Sequence, residues 1–156
     1  MKVVINRCFG GFSLSPLAVK RLAELQGRPC FFFDQDYKGL KVTHTPVAMP
    51  SEKSFLWGAF DTDDLSLIAG PSAEAWAAMT LEEKQKSNAD YSSRSLSSQP
   101  EKRDDPLLVQ VVEELGEKAN GRCADLEIVE IPDGVEWEID EYDGNERVHE
   151  THRSWP

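Results

Sequence analysis

Apolar and polar residues alternate most regularly near the carboxyl end of the chain. From residue 135 to residue 141, Val, Trp and Ile alternate with Glu and Asp, and this period of two is typical of a strand with one buried face. An apolar stretch at residues 126–131 comes before it, and Pro-Asp-Gly at residues 132–134 suits a turn between the two. The pattern predicts a C-terminal β-hairpin whose strands meet at that turn.

Two other stretches have apolar residues at the spacing of a helix, and each follows a capping residue and a proline. Ser15-Pro16 precedes the first stretch, and Asp105-Pro106 precedes the second. Ser and Asp side chains accept hydrogen bonds from the free N–H groups of a helix, and proline fits the first turn. These signals predict principal helices over about residues 16–26 and 106–119.

The remaining signals are shorter. Runs of β-forming residues predict strands at residues 2–8, 29–33, 40–44 and 65–68, and capping residues predict short helices at residues 72–79 and 80–86. Beyond residue 144, Val148, His152 and Trp155 have helical spacing, which predicts a helical tail. We therefore predict an α+β fold, in which the two principal helices cover a mainly antiparallel sheet made of the N-terminal strand, the region of residues 31–33 and the C-terminal hairpin.

The length of 156 residues fits a single domain that buries roughly two-thirds of the surface exposed by its unfolded chain. Residues 86–105 are rich in serine and contain few apolar side chains, so we expect a mobile loop there. Neither side of this loop holds a separate apolar core of domain size. The sequence therefore predicts one domain over residues 1–156.

The net charge of −11 lies mostly at the carboxyl end. Residues 124–156 contain eleven acidic residues and two arginines, which gives −9, whereas residues 1–123 contribute −2. Repulsion between these carboxylates and phosphate disfavours direct binding of nucleic acid to that surface.

Cysteine usage and hydropathy indicate a protein of the cytoplasm. Cys8, Cys30 and Cys123 are odd in number and show no Cys-x-x-Cys spacing, which suits reduced thiols better than a disulfide framework. The N-terminal apolar run is too short for a signal peptide, and no apolar run reaches the roughly 18 residues of a membrane-spanning helix. We expect no membrane partner.

Two glycines follow the first predicted strand and precede the first predicted helix. Glycines at such a position let backbone N–H groups approach an anion, and the N-terminus of a helix favours negative charge. An arginine in the same loop can bind phosphate, and a phenylalanine can stack on a base. The spacing differs from that of a Walker or dinucleotide-binding motif. The candidate ligand site comprises Asn6, Arg7, Phe9, Gly10, Gly11 and Phe12, and a purely structural turn is the alternative.

Basic and amide groups near the acidic region are further candidates for the same ligand. Arg103, Asn120 and Arg122 lie at the two ends of the helix predicted at residues 106–119, and Arg153 lies in the tail. A phosphate bound near so many carboxylates needs such counter-charges. Helix capping and exposure to solvent explain each of these residues alone, so both interpretations stay open.

Catalysis and metal binding have weaker support. Any cysteine could act as a nucleophile with His44, His149 or His152 as its base, yet no spacing singles out a pair. His149 and His152 with Glu146 and Glu150 would make only a weak metal site. We therefore expect a non-catalytic protein without a cofactor or a metal.

The acidic face itself is the other candidate surface. It would present carboxylates to a basic groove and imitate the phosphates of DNA, although a solvated outer face of a hairpin would look the same. Its members are Glu127, Glu130, Glu136, Glu138, Asp140, Asp143 and Glu146.

Several motifs resemble those of a widespread family of small phage and prophage proteins. The match covers both ends of the chain and leaves out residues 30–99. It is carried by Asn6-Arg7-Cys8-Phe9-Gly10-Gly11-Phe12-Ser13-Leu14-Ser15, Arg103-Asp104-Asp105-Pro106-x-Leu108-Val109, Val112-Glu113-Glu114-Leu115-Gly116, Ala119-Asn120-Gly121, Ile131-Pro132-Asp133, and Tyr142-Asp143-Gly144 through His152-Arg153-x-Trp155.

The resemblance implies a function in the conflict between phage and host. Phage proteins of this size and acidity are often antagonists of host defence. One candidate relation is to the Thoeris anti-defence group, which resembles a sequestering protein: it binds a cyclic ADP-ribose signal between subunits and removes it without chemistry. The resemblance therefore implies that the chain forms a homo-oligomer that sequesters a cyclic nucleotide or ADP-ribose-type signal in the host cytoplasm. The alternative is an acidic, DNA-mimicking inhibitor whose partner is a basic host defence protein.

Overall fold

The computed structural model describes residues 1–38, 41–51, 54 and 56–151. The chain divides into two compact units, and each is described here by itself. The terminal unit combines the two ends of the chain, Met1–Gln26 and Ser98–Pro156, and the central unit is Gly27–Ser97. The prediction of a single domain stays a prediction.

The fold is α+β, as predicted, with helices and antiparallel strands in similar amounts. In chain order the elements are β1 (Lys2–Asn6), α1 (Pro16–Leu25), β2 (Phe31–Lys38), β3 (Lys41–Val47), β4 (Trp57–Phe60), α2 (Leu65–Ile68), α3 (Ala73–Ala78), α4 (Leu81–Arg94), α5 (Pro106–Leu115), a 3₁₀ turn (Gly116–Ala119), β5 (Leu126–Glu130), β6 (Trp137–Tyr142) and β7 (Asn145–Glu150).

The core of the terminal unit forms around β1, whose Val3, Val4 and Ile5 are fully buried. The two principal helices α1 and α5 begin where the sequence predicts. Ser15 Oγ accepts a hydrogen bond from the Ala18 N–H at 3.2 Å, and Asp105 Oδ1 accepts one from the Leu107 N–H at 2.9 Å. These caps satisfy donors that a helix leaves free at its N-terminus.

The described strands form three separate antiparallel sheets, whereas the sequence predicts a single one. The sheets are β1–β5, β3–β2–β4 and β6–β7. The predicted hairpin across residues 132–134 is wrong, because β5 pairs with β1 and places Ile128 opposite Val4. This pairing joins positions more than a hundred residues apart, which local alternation of apolar residues does not reveal.

The C-terminal hairpin exists one turn later than predicted. Strand β6 pairs with β7, so that Ile139 lies opposite Val148, and the predicted helical tail is a strand as far as Glu150. Asp143 and Gly144 have φ values of 50° and 85°, and a two-residue hairpin turn with two positive φ angles matches the twist of its strands. His152 and Trp155 lie outside the described residues.

The central unit contains one three-stranded sheet with an aromatic core. Phe33, Phe60 and Ile68 are each about 1% exposed and pack together. The rings of Phe60 and Tyr91 make an edge-to-face contact with centroids 5.4 Å apart, which brings α4 against the sheet. Strand β4 lies in a region where the sequence shows no clear pattern.

Helices in the central unit replace a strand and part of a loop that the sequence predicts. Residues 65–68 form α2 because Asp64 Oδ1 accepts a hydrogen bond from the Ser66 N–H at 2.9 Å and caps the turn. The stretch from residue 86 is helical as far as Arg94, since the predicted capping box of Thr80 and Glu83 starts a longer helix than expected. The short helix predicted at residues 72–79 is α3.

Among the described residues, no helix has both the length and the apolar composition needed to cross a membrane.

Candidate functional site

The glycine loop, residues 7–12, leaves β1 and leads towards α1. Gly10 and Gly11 have φ values of 137° and 89°, a region of backbone conformation that favours glycine. Gly10 also packs closely on Cys123, since a Cβ atom at Gly10 would lie 2.8 Å from the Cβ atom and carbonyl oxygen of Cys123. Both the conformation and the close packing explain the glycine at position 10.

The turn of the β6–β7 hairpin packs directly on this loop. The Gly10 N–H donates a hydrogen bond to the Asp143 carbonyl at 3.3 Å. A Cβ atom added to Gly144 would overlap the backbone nitrogens of Gly10 and Gly11. The backbones of the loop and the hairpin turn therefore touch at glycines, which have no side chain. One of the N–H groups expected to bind an anion is therefore occupied by the hairpin turn.

Asn6 connects the loop, the hairpin turn and the start of β5. Its side chain is fully buried, and its Nδ2 donates to the carbonyls of Cys8 and Gly144, both at 2.6 Å. Its Oδ1 accepts a hydrogen bond from the Asp125 N–H at 2.8 Å. A buried amide that satisfies three backbone groups is a structural element, because removing it leaves those groups unpaired.

A buried ion pair lies beside Asn6. Glu146 is 6% exposed; its Oε2 accepts from the Asn6 N–H at 2.8 Å, and its Oε1 lies 3.2 Å from Nη2 of Arg103. The guanidinium of Arg103 also stacks on the buried ring of Phe12, with its Cζ 3.3 Å from the ring centroid. Burial lowers the pKa of Arg103 from its ordinary value, and the charge of Glu146 opposes that shift.

Within the glycine loop, the side chains of Arg7 and Phe9 are exposed to solvent. The Arg7 Nη1 donates to the Glu146 carbonyl at 3.3 Å, and its Nε lies 3.5 Å from a carboxylate oxygen of Glu127. The Phe9 side chain is 62% exposed although it is large and apolar. The loop thus holds a guanidinium and an aromatic ring at the surface.

The other predicted site residues differ in their exposure and in their contacts. Asn120 Oδ1 accepts a hydrogen bond from the Leu126 N–H at 3.0 Å, so this amide supports the start of β5. Arg122 is exposed, and Arg153 lies outside the described residues. The structure therefore brings together the residues of the glycine loop, Asn6 and Arg103, with Asn6 and Phe12 buried and Arg103 partly buried.

Residues of the hairpin turn complete the arrangement and are absent from the predicted site. Asn145 Nδ2 donates to the Arg7 carbonyl at 3.0 Å, Gly144 contacts the loop backbone, and Glu146 binds Asn6 and Arg103. The sequence places Glu146 in the acidic surface, and its burial corrects that prediction. The Asp-Gly dipeptide at residues 143–144 is the signal in the sequence that indicates this hairpin turn.

The acidic face is interrupted by basic side chains. In the β6–β7 register, Arg147 lies opposite Asp140, and His149 lies opposite Glu138. The His149 Nε2 is 3.0 Å from a carboxylate oxygen of Glu138. The hairpin therefore places an arginine and a histidine opposite carboxylates across its strands.

The remaining candidate side chains are those that could hold a metal ion or act as a nucleophile and its base. Over residues 1–38, 41–51, 54 and 56–151, no group of three or more His, Cys, Asp or Glu side chains is arranged to hold a metal ion. Cys8, Cys30 and Cys123 form no disulfide with one another. His44, one of the possible bases, packs among aromatic rings of the central unit.

No protein-family model matches the chain, and neither a curated protein nor a solved structure is significantly similar to it.

Proposed function

We propose that this chain is a non-catalytic binding protein that sequesters a nucleotide-type ligand at the glycine loop. The observation that carries the proposal is the pair of Arg7 and Phe9, which are exposed on a loop whose base is held by the buried Asn6 and Glu146. A guanidinium recognises phosphate, and an exposed ring stacks on a base. A preorganised loop binds with less loss of conformational entropy than a mobile one.

The carboxylates around the loop narrow the ligand class. Glu127 lies beside Arg7, and Asp143 belongs to the turn that packs on Gly10. Carboxylates accept hydrogen bonds from ribose hydroxyls but repel additional phosphates. An ADP-ribose-type signal carries ribose hydroxyls beside few phosphates, and it therefore suits this surface better than a polyphosphate. A phage origin and a role against bacterial defence belong to the same proposal through the resemblance of the terminal motifs.

Isothermal titration calorimetry with ADP-ribose, its cyclic isomers and cyclic dinucleotides tests the proposal. We expect saturable binding by at least one of these ligands, and mass spectrometry of the ligand released by denaturation should show it unchanged. A chemically altered ligand would indicate an enzyme. Absence of binding and of thermal stabilisation by every ligand in the set would refute the proposal.

Two variants locate the site. Arg7→Ala removes the phosphate-binding group, and Phe9→Ala removes the stacking ring, so each should weaken binding by about tenfold or more. Matched controls remove similar side chains from other surfaces. Arg21→Ala deletes a partly exposed arginine paired with Glu114, and Leu81→Ala deletes an apolar side chain that is 73% exposed. Unchanged affinity in both Arg7→Ala and Phe9→Ala would remove the glycine loop from the proposal.

An acidic inhibitor of a basic host protein is the second candidate. Glu127, Glu130 and Glu136 remain exposed, as the sequence predicts. The interruption of the hairpin by Arg147 and His149 favours the ligand-binding function over this one. Co-purification with a basic partner that is lost on raising salt would support the inhibitor instead.

A further inference from the structure

Tyr142, like Phe9, is a large aromatic residue that is exposed to solvent and does not pack in the core. Among the described residues, Tyr142 at 80% and Phe9 at 62% are the two most exposed aromatic side chains. Single exposed apolar residues are common and need no explanation. Two large exposed aromatic rings beside the contact between the glycine loop and the hairpin turn instead indicate a binding surface.

The backbone places these two residues on either side of the contact between loop and hairpin. Phe9 immediately precedes Gly10, and Tyr142 immediately precedes Asp143, whose carbonyl accepts the Gly10 N–H at 3.3 Å. Covalent geometry then limits the separation of the two Cα atoms to about 12 Å. A planar ring stacked between two others spans about 7 Å, so one heterocycle is within reach of both side chains.

A second contact connects Tyr142 to the charged part of the loop. Tyr142 pairs across the hairpin with Asn145, and Asn145 Nδ2 donates to the Arg7 carbonyl at 3.0 Å. The residue after the turn therefore contacts the loop that carries Arg7 and Phe9, and Tyr142 is its partner across the hairpin. The backbone on both sides is constrained, since Asp143 and Gly144 adopt positive φ values and Gly144 packs on Gly11.

We infer that Tyr142 is a second stacking residue of the ligand site, and that the ligand is a planar heterocycle carrying an anionic group. Phe9 and Tyr142 hold the heterocycle, and Arg7 binds the anionic group. The inference rests on the proposed function and adds to it a residue of the hairpin, so that the site is built from both ends of the chain.

Calorimetry on three substitutions of Tyr142 tests the inference with ADP-ribose and its cyclic isomers as probes. Tyr142→Ala should weaken binding by about 5- to 150-fold, the range expected for loss of one stacked ring. Tyr142→Phe keeps the ring and should bind within about threefold of the wild type. Tyr142→Leu keeps apolar bulk without a flat π surface and should resemble Tyr142→Ala.

A ligand-induced change in tyrosine fluorescence provides an independent readout. We expect the emission of Tyr142, obtained as the difference between the wild type and Tyr142→Phe, to change on ligand addition. Wild-type binding that is lost in Phe9→Ala but retained at full strength in Tyr142→Ala would overturn this inference and leave the proposed function standing. A wild type that binds none of the probes would refute both, and failure of the proposed function is then visible before any Tyr142 variant is made.

Discussion

At the scale of single residues, the buried polar groups around Asn6 decide how the glycine loop is held. Asn6 and Glu146 are buried and Arg103 is partly buried, and removing polar or charged side chains from solvent is costly unless hydrogen bonds and opposite charges compensate. The Asn6 amide and the Glu146 carboxylate supply that compensation. Arg103 Nη1 is buried without a hydrogen-bond partner in the described part of the chain, and its stacking on Phe12 replaces part of the lost hydration.

Asn6→Ala should lower the free energy of unfolding by about 2–4 kcal/mol. The substitution deletes the side-chain partners of the Asp125 N–H and of the Cys8 and Gly144 carbonyls. Urea denaturation measures the change. Asn145→Ala is the matched control, since it removes the amide that donates to the more exposed Arg7 carbonyl and should cost at most about 1 kcal/mol. Equal costs for the two variants would show that Asn6 does not organise the loop.

Gly144→Ala should separate the hairpin turn from the glycine loop. Gly144 and Gly134 both have positive φ, at 85° and 79°, so alanine strains the backbone at either position. A methyl group at Gly144 would also overlap the nitrogens of Gly10 and Gly11, whereas one at Gly134 meets no atom within 4 Å. We expect Gly144→Ala to destabilise the protein by about 1–3 kcal/mol more than Gly134→Ala.

Amide hydrogen exchange gives the local readout for the same pair. Faster exchange at residues 7–11 in Gly144→Ala, but not in Gly134→Ala, is the expected result. Identical exchange in both variants would contradict the packing of the turn on the loop.

At the scale of secondary structure, local chemistry predicts helices better than it predicts strand pairing. The caps at Ser15 and Asp105 give the starts of α1 and α5, because a capping side chain and the N–H group it binds are close in sequence. The partner of β5 depends on β1, which lies at the other end of the chain. Alternation of apolar residues shows that β5 is a strand but does not show which strand lies beside it.

The same limit applies to the candidate site. Asn6, Arg7 and the two glycines are visible as a loop motif, whereas the contribution of Glu146 and Gly144 requires knowledge that the hairpin folds back on that loop. The sequence places Asp143 in the acidic face and does not include Tyr142 among the candidate site residues. The sequence therefore predicts the chemical groups of the loop but not which of them reach solvent.

The central unit should lose stability at acidic pH through His44. Its imidazole makes edge-to-face contacts with the rings of Phe33 and Phe60, and burial lowers its pKa from 6.5. Below that value the unfolded chain takes up the proton more readily than the folded one, so the folded state is fully favoured above about pH 6.5 and weakens as pH falls through the lowered pKa.

Thermal unfolding between about pH 5 and pH 8 measures this dependence. His44→Gln cannot titrate at that position, so it should show a smaller loss of stability on acidification than the wild type. Parallel pH profiles for the two proteins would contradict the assignment to His44.

At the scale of the whole molecule, the chain is strongly acidic, whereas the proposed ligand surface contains a guanidinium. We expect the net charge of −11 to disfavour direct binding of nucleic acid, whereas the proposed small ligand would contact only the local groups around Arg7. The candidate relation to the Thoeris anti-defence group, which binds its signal between subunits, adds an expectation about assembly. The ligand-bound protein should be a homo-oligomer.

Light scattering coupled to size-exclusion chromatography tests that expectation. The chain has a mass of 17.5 kDa, and the complex with a bound ADP-ribose-type ligand should have at least twice that mass. A ligand-saturated monomer would exclude binding between subunits while leaving the glycine loop as the site.

The central claim is that an intact nucleotide-type ligand binds at the glycine loop. The most direct measurement is calorimetric titration of the wild type and Phe9→Ala with ADP-ribose and its cyclic isomers, followed by mass spectrometry of the released ligand. We predict saturable wild-type binding that is weakened by about tenfold or more in Phe9→Ala, with the ligand recovered unchanged. Equal affinity in the two proteins, or no binding by the wild type, would contradict the claim.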